Sequence, residues 1–273
     1  MKNILRSLFV AAIVVSVSVI YSCGQGSQSK TESDSITINK EQVQSNVAQM
    51  VKTIPSPYEL SLKLEEIGSS YIEGSVNSIN NIDKYFTEKN KALNLGIYGA
   101  DLAYVSTYEK KQEVSLYTKA VKTLVDQLGI KIDLAKLSSE ETKEKLDNKD
   151  SLANIVSATF LDVYNFLNEN SDPSLAALVA AGVWVEGLYL AMQISEETFN
   201  NNDFVKIIYD QQNSLSKVIE LLDMFKNDQL INSMVDALKK LQIQFESTNG
   251  SLTVEQLNGI GQTITTIRSG IIE

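Results

Sequence analysis

The chain has 273 residues, no histidine, one cysteine and a formal net charge of −10. The absence of histidine excludes Ser-His-Asp and Cys-His catalysis and histidine metal sites, and no phosphate-binding loop or EF-hand pattern predicts a metal or another cofactor. The acidic balance, with a single arginine beyond residue 6, argues against nucleic acid as a partner.

The N-terminus carries a secretory signal. Lys2 and Arg6 precede an apolar run from Leu8 to Ile20, whose length of about 13 residues fits a signal core better than a membrane span. The run ends in Ile20-Tyr21-Ser22-Cys23, which resembles the lipobox of bacterial lipoproteins, although Tyr21 departs from its commonest pattern. The resemblance implies cleavage before Cys23 and acylation of Cys23, which anchors the mature chain to a membrane. The alternative is an uncleaved N-terminal anchor.

The residues after Cys23 differ in composition from the rest of the chain. Residues 24–38 are rich in Gly, Ser and Gln, which is typical of a flexible tether. We therefore divide the chain into a signal peptide (1–22), the lipidated cysteine with its tether (23–39) and one domain (40–273). Removal of residues 1–22 takes away Lys2 and Arg6 and brings the net charge to −12.

From residue 40 onward, apolar residues recur at spacings of three and four, which places them on one face of a helix. The pattern appears in six segments, for example at Val114, Tyr117, Val121, Leu124 and Leu128, and again at Ile231, Met234, Leu238, Leu241 and Phe245. No alternation typical of strands accompanies it. The sequence predicts an all-α protein, an antiparallel helical bundle of about nine or ten helices.

Two predicted helices, 92–108 and 174–192, are apolar around most of their circumference and therefore belong at the centre. Each contains one internal acid, Asp101 or Glu186. The uncharged stretch before Glu186 is about 12 residues, which favours a core helix over a membrane span. Residues 96–104 align with residues 182–190, so we predict two pseudo-repeats around these helices. The alternative is two unrelated helices with similar packing needs.

Small residues at Gly96, Gly99, Ala100 and Ala103 form a strip that predicts close packing of the first central helix against the second. The second helix offers Ala176, Ala180 and Gly187 in return. Asp101 lies about 100° around the helix from Ala100. We therefore expect Asp101 at the solvent-facing edge, where it reaches water, a tyrosine hydroxyl or a lysine.

The alternative interpretation buries both acids. A buried carboxylate needs a partner or becomes protonated, so the acids would then line a ligand cavity between the two central helices. The residues predicted to line this cavity are Tyr98, Asp101, Tyr104, Trp184, Glu186 and Tyr189. A catalytic pair of carboxylates is the third interpretation, but no nucleophile accompanies it.

Two further resemblances come from one short motif and from the general character of the chain. Gly96-x-Tyr98-x-x-Asp101 has the spacing of the G-x-H-x-x-E signature of imelysin-like envelope proteins, with Tyr and Asp in place of His and Glu. Glu186 lies four residues after Gly182, where that signature has five. The chain is also similar in style to helical Bacteroidetes lipoproteins of unknown function. These resemblances imply a helical, lipid-anchored protein of two related halves, and no activity or metal site is carried over.

Two short sequences match the D-S/T-aliphatic pattern of O-glycosylation in the same phylum, with implied sites at Ser35 and Ser151. Asp150 with Ser151 is equally a helix-capping pair.

Together these features predict an envelope lipoprotein in the outer membrane, facing the periplasm; surface display is the alternative. We expect a non-enzymatic protein that binds or scaffolds another envelope protein. A small-ligand-binding protein is the second hypothesis, and an enzyme that uses carboxylates only is the third.

Overall fold

A computed structural model of the chain describes residues 31–134, 149–193, 196–248 and 250–273. Nine α-helices and two 3-10 helices lie within these residues, and no strand occurs among them. The prediction of an all-α bundle is confirmed. The α-helices are α1 (Thr31–Val51), α2 (Pro57–Glu66), α3 (Glu88–Thr107), α4 (Lys111–Gln127), α5 (Lys149–Asn170), α6 (Pro173–Met192), α7 (Asn202–Asp223), α8 (Gln229–Glu246) and α9 (Val254–Ile272). The 3-10 helices are Ile79–Lys84 and Glu196–Asn200.

Helix α1 begins at Thr31, whereas the sequence predicted a flexible tether up to residue 39. No proline or glycine occurs between residue 31 and the amphipathic part of α1, so nothing in this stretch stops a helix that is anchored at Val47 and Val51. Cys23 and residues 24–30 lie outside the described residues. Ser35 lies in α1 and Ser151 in α5, and their modification stays a prediction.

The two central helices begin at well-defined caps. Thr87 Oγ1 accepts a hydrogen bond from Asn90 N at 3.1 Å at the start of α3. Asp172 Oδ1 accepts one from Ser174 N at 2.9 Å at the start of α6, which has Pro173 in its first turn. Side-chain caps and an N-terminal proline fix where a helix starts, so both predicted starts fall close to the observed ones.

Helices α3 and α6 form the centre of the domain, as predicted. Every residue of α3 from Ala92 to Thr107 is buried, as is nearly all of α6. The two helices touch through glycines: a Cβ added to Gly96 would lie 2.1 Å from Val179 O, and one added to Gly182 would lie 2.0 Å from Leu93 O. Only glycine permits backbones to approach this closely.

The other predicted small residues face different neighbours. A Cβ on Gly99 would lie 2.0 Å from Phe160 Cζ of α5, so Gly99 packs against α5 and not against α6. A Cβ on Gly187 would meet Leu60 of α2 at 3.7 Å. The predicted strip is therefore shared between helices, because α3 is enclosed on all sides and each face meets a different partner.

Helices that follow one another late in the chain run antiparallel. In α7 and α8, for example, Asp223 pairs with Lys239 at 3.1 Å and Ser216 contacts Gln242 at 3.4 Å. Helices α3 and α6 run in the same direction, because Gly96 meets Gly182 and Asp101 meets Glu186 about one turn further along both helices. Gly96 and Gly182, which the repeat alignment matches, thus lie together, and the duplication itself stays a prediction.

Among the described residues, α6 is the one helix whose length and composition would allow it to cross a membrane. Of the most apolar stretch of α6, 89% is buried inside the protein. Its position in the fold is that of the core helix predicted from the sequence.

Candidate functional site

Three charged side chains from three helices meet in the core: Asp101 of α3, Glu186 of α6 and Arg268 of α9. We call them the acid–arginine cluster. Arg268 Nε donates to Glu186 Oε2 at 2.7 Å, and Nη2 donates to Oε1 at 2.9 Å. The ring of Tyr189 lies 4.0 Å from the guanidinium carbon. This is a bidentate ion pair with a cation–π contact, a geometry that lysine cannot reproduce.

The expectation that Asp101 lies at a solvent-facing edge is wrong, because its side chain is completely buried. Its Oδ2 accepts a hydrogen bond from Asn77 N at 3.2 Å, and its carboxyl group also hydrogen-bonds to Glu186. The sequence places Asp101 off the glycine face of α3, but a loop before α3 covers that side. The structure bears out the burial of both acids, and the ligand cavity that the alternative interpretation attached to it stays a prediction.

The two buried carboxyl groups do not ionise equally readily. Burial raises the pKa of Asp101 well above its usual range, and the adjacent Glu186 raises it further. Burial also raises the pKa of Glu186, but the hydrogen bonds from Arg268 oppose that shift. Asp101 is therefore the carboxyl group that favours its protonated form, in which it can donate a hydrogen bond to Glu186. Asp101 Oδ1 is buried and accepts no hydrogen bond from an N–H or O–H group of the described residues.

With Asp101 protonated, the cluster is electrically neutral. The charge of Arg268 is balanced by Glu186. Burial acts to lower the pKa of the guanidinium, but the surrounding hydrogen bonds and charges, chiefly those of Glu186, together raise it. A neutral, hydrogen-bonded arrangement is what allows charged side chains to remain in a core.

Residues 67–78, which we call the strap, cross over the cluster between α2 and the first 3-10 helix. Side chains of α3, α4 and α9 bind the main chain of the strap at five points. Ile72 N donates to Tyr104 OH at 2.9 Å, Asn77 N donates to Asp101, Arg268 Nη2 donates to Ser75 O at 3.3 Å, Tyr117 OH donates to Asn77 O at 2.7 Å, and Tyr98 OH donates to Ser78 O at 2.7 Å. The strap is thus fixed by polar contacts to its backbone.

Five of the six residues predicted to line a cavity gather around the cluster and the strap: Tyr98, Asp101, Tyr104, Glu186 and Tyr189. Trp184 does not join them, because its Nε1 donates to Ser214 Oγ of α7 at 2.9 Å. Trp184 points away from Glu186, since two residues along a helix correspond to roughly 200° of rotation. The central helices themselves are in backbone contact at Gly96 and Gly182.

Sequence reasoning missed Arg268, Asn77 and Tyr117 as members of the site. Arg268 carried a signal, since it is the one arginine after residue 6 in a chain that otherwise uses lysine. Arginine is preferred for a buried bidentate pair, so a lone arginine in an apolar helix could have been matched with a lone core carboxylate. Asn77 contributes through its backbone, for which the sequence gives no signal.

Two adjoining recesses lie on the surface near the start of α3. One has a volume of about 690 Å³ and is lined by the N-terminal ends of α3, α6 and α8; the other, about 410 Å³, lies between α3, α8 and α9. They share Asn90, Leu230 and Ser233. Lys89 and Asp228 form an ion pair in the first recess, and this hydrogen bond lowers the pKa of Asp228. Neither recess contains a residue of the acid–arginine cluster.

No group of three or more acidic, histidine or cysteine side chains that could hold a metal ion occurs in the part of the chain that the structure describes. Searches against protein-family models, curated proteins and solved structures give no match.

Proposed function

We propose that this protein is a membrane-anchored envelope lipoprotein that binds or scaffolds another envelope protein and performs no catalysis. The observation that carries the proposal is the closed acid–arginine cluster. The two core carboxyls and the one arginine beyond residue 6 are engaged with one another and are buried. Carboxylate catalysis requires an acid that a substrate can reach.

The surface supports a binding role. Phe86 is 84% exposed, and its neighbours Tyr85 and Thr87 line the two adjoining recesses. The second recess is lined largely by apolar side chains, among them Leu93, Met234 and Ile267. An exposed aromatic ring beside an apolar recess suits a partner protein that presents an apolar side chain.

Lipid attachment is tested by labelling cells with a radioactive fatty acid. We expect label on the wild-type protein and none on Cys23→Ala. Label that persists on Cys23→Ala would overturn the lipoprotein assignment. Protease treatment of intact cells then distinguishes an anchor facing the periplasm, where the protein is protected, from surface display, where it is cleaved.

The binding role is tested by affinity capture of the tagged, lipidated protein from its native membrane, followed by mass spectrometry. We expect a protein partner that is retained by Ile243→Ser and lost with Phe86→Ser. Ile243 is a matched control because it is 64% exposed on α8. Equal retention by both variants would show that the surface beside Phe86 is not the contact.

A small-ligand-binding role is the second candidate, and the gathering of five predicted residues beneath the strap favours it. A ligand there would have to displace the strap, whose backbone now occupies the hydrogen-bonding groups of Tyr98, Tyr104 and Tyr117. The same capture experiment distinguishes the two roles, since a stoichiometric small molecule without a protein partner would favour ligand binding.

A further inference from the structure

The strap is the least buried wall of the acid–arginine cluster. The other walls are helices α3, α6 and α9, whose residues at the cluster lie in the core. In the strap, by contrast, Glu73, Gly74 and Ser78 are exposed, and the buried members Ser75 and Asn77 are polar. Segments with few buried apolar contacts open at lower cost than packed helices. Water therefore reaches the cluster at least cost by displacement of the strap.

The strap contacts both ends of the cluster. Asn77 N donates to Asp101 Oδ2 at 3.2 Å, and Ser75 O accepts from Arg268 Nη2 at 3.3 Å. Closure of the strap thus adds one hydrogen bond to Asp101 and one to Arg268, in a site that contains two carboxyl groups and one guanidinium. With one proton between the carboxyls the enclosed site is neutral; without it, the site holds an unbalanced negative charge, which is costly in a core.

The remaining titratable groups that face the cluster are tyrosines: Tyr85 before α3, Tyr98 on α3, Tyr117 on α4 and Tyr189 on α6. Burial raises the pKa of each of these hydroxyls above its ordinary value of 10.0 for an exposed tyrosine. They stay protonated at neutral pH, and Arg268 stays charged. The exchangeable proton in this site is therefore the one between Asp101 and Glu186.

We propose that the strap is a proton-controlled lid, held closed over the acid–arginine cluster by the proton that Asp101 shares with Glu186. When the pH rises, Asp101 releases this proton to water, the strap leaves the cluster, and solvent hydrates the newly charged carboxylate. When the pH falls, Asp101 takes up a proton and the strap closes again. The helices stay in place, because their contact at Gly96 and Gly182 does not involve the strap.

The size of the effect follows from linkage. In the open state Asp101 is hydrated and ionises at an ordinary pKa, whereas in the closed state it keeps its proton. The ratio of open to closed molecules then rises with pH by up to about tenfold per pH unit, the limit for a single proton, until the pH reaches the closed-state pKa.

Amide hydrogen exchange of the full-length protein, read by mass spectrometry from about pH 5 to about pH 9, tests the proposal. Rates are corrected for the intrinsic pH dependence of exchange. We expect the protection of strap residues 69–78 to fall as pH rises, by up to about tenfold per unit, while the loop at residues 224–228 shows no such dependence. In Asp101→Asn, which stays neutral at every pH, the strap should be protected equally throughout.

A wild-type strap whose protection does not change with pH would overturn the proposal, even if the variant failed to fold. An equal loss of protection in the strap and in residues 224–228 would also overturn it, since that result describes general unfolding. So would a strap in Asp101→Asn that opens with pH as the wild type does, because the proton would then belong to another group.

Discussion

Asp101 and Glu186 carry the same functional group at nearly the same depth, yet their surroundings give them different roles. Arg268 binds Glu186 through two hydrogen bonds, whereas Asp101 receives one backbone N–H and faces a carboxylate. Glu186 is therefore the charged member of the pair and Asp101 the neutral one. Substitution by the matching amide should separate these roles, because an amide reproduces the protonated acid but not the carboxylate.

We expect Asp101→Asn to change the free energy of unfolding by less than about 1 kcal/mol at about pH 4, where the acid is largely protonated in the unfolded chain as well, since the amide can still donate to Glu186. Glu186→Gln should cost about 3 kcal/mol, because it leaves the buried charge of Arg268 without its partner. Urea denaturation of the full-length variants measures both values. Equal losses from the two substitutions would contradict the assignment of the proton to Asp101.

Arg268→Lys tests the geometry of the ion pair at constant charge. A lysine ammonium cannot make the bidentate contact with Glu186 together with the bond to Ser75 O and the contact with Tyr189. We expect a loss of about 1.5–3 kcal/mol in the free energy of unfolding, the value of one or two hydrogen bonds to a charged group. A lysine variant as stable as the wild type would mean that charge alone holds the cluster.

At the scale of helices, the contact between α3 and α6 depends on two glycines that meet backbone rather than side chains. Gly96→Ala and Gly182→Ala should each destabilise the protein by about 1–3 kcal/mol or more, because their methyl groups would fall within about 2 Å of carbonyl oxygens. Gly187→Ala on α6 is the matched control. Its methyl group has ordinary contact at 3.7 Å from Leu60, so higher helix propensity should leave stability unchanged or improved.

Thermal and urea unfolding of the three glycine variants would rank their stabilities directly. If Gly187→Ala were as damaging as Gly182→Ala, the cost would come from the helix itself and not from the crossing. If all three were neutral, the two helices would have to be further apart than the structure places them.

The same helices show what the sequence can predict. The predicted helices 92–108 and 174–192 lie close to the observed helices Glu88–Thr107 and Pro173–Met192. An apolar pattern on all sides identifies a central helix, and capping residues mark where a helix begins. Their mutual packing followed from small residues. Which small residue faces which neighbour did not follow, since Gly99 and Gly187 meet α5 and α2 only through the assembly of several helices.

The site was less predictable than the helices for a physical reason. Asp101 was expected at the surface because helical periodicity describes one helix and not the loop that covers it. The strap has no periodic pattern, and its contacts are made by main-chain atoms that every residue carries. Arg268 reaches Glu186 across 82 residues of sequence, a distance over which local spacing gives no information.

For the whole molecule, the shared proton predicts how stability depends on pH. The pKa of Asp101 is higher in the folded protein than in the unfolded chain, where it lies near about 4. The folded state therefore binds more protons between these two values, so the contribution of Asp101 is most favourable below the unfolded pKa. It declines as pH rises towards the folded pKa, by up to about 1.4 kcal/mol per pH unit.

This contribution is isolated by comparing the wild type with Asp101→Asn at a series of pH values above about 4, using urea denaturation of full-length protein. Other titratable groups, including Asp228 with its lowered pKa, contribute equally to the pH dependence of both proteins, so their contributions cancel in the comparison. We expect the stability of Asp101→Asn relative to the wild type to increase with pH. Asp236→Asn, at an exposed position on α8, controls for the loss of one negative charge. Its free energy of unfolding should change with pH in parallel with that of the wild type. Parallel curves for Asp101→Asn as well would mean that Asp101 is ionised in the folded protein and that the buried site holds two negative charges.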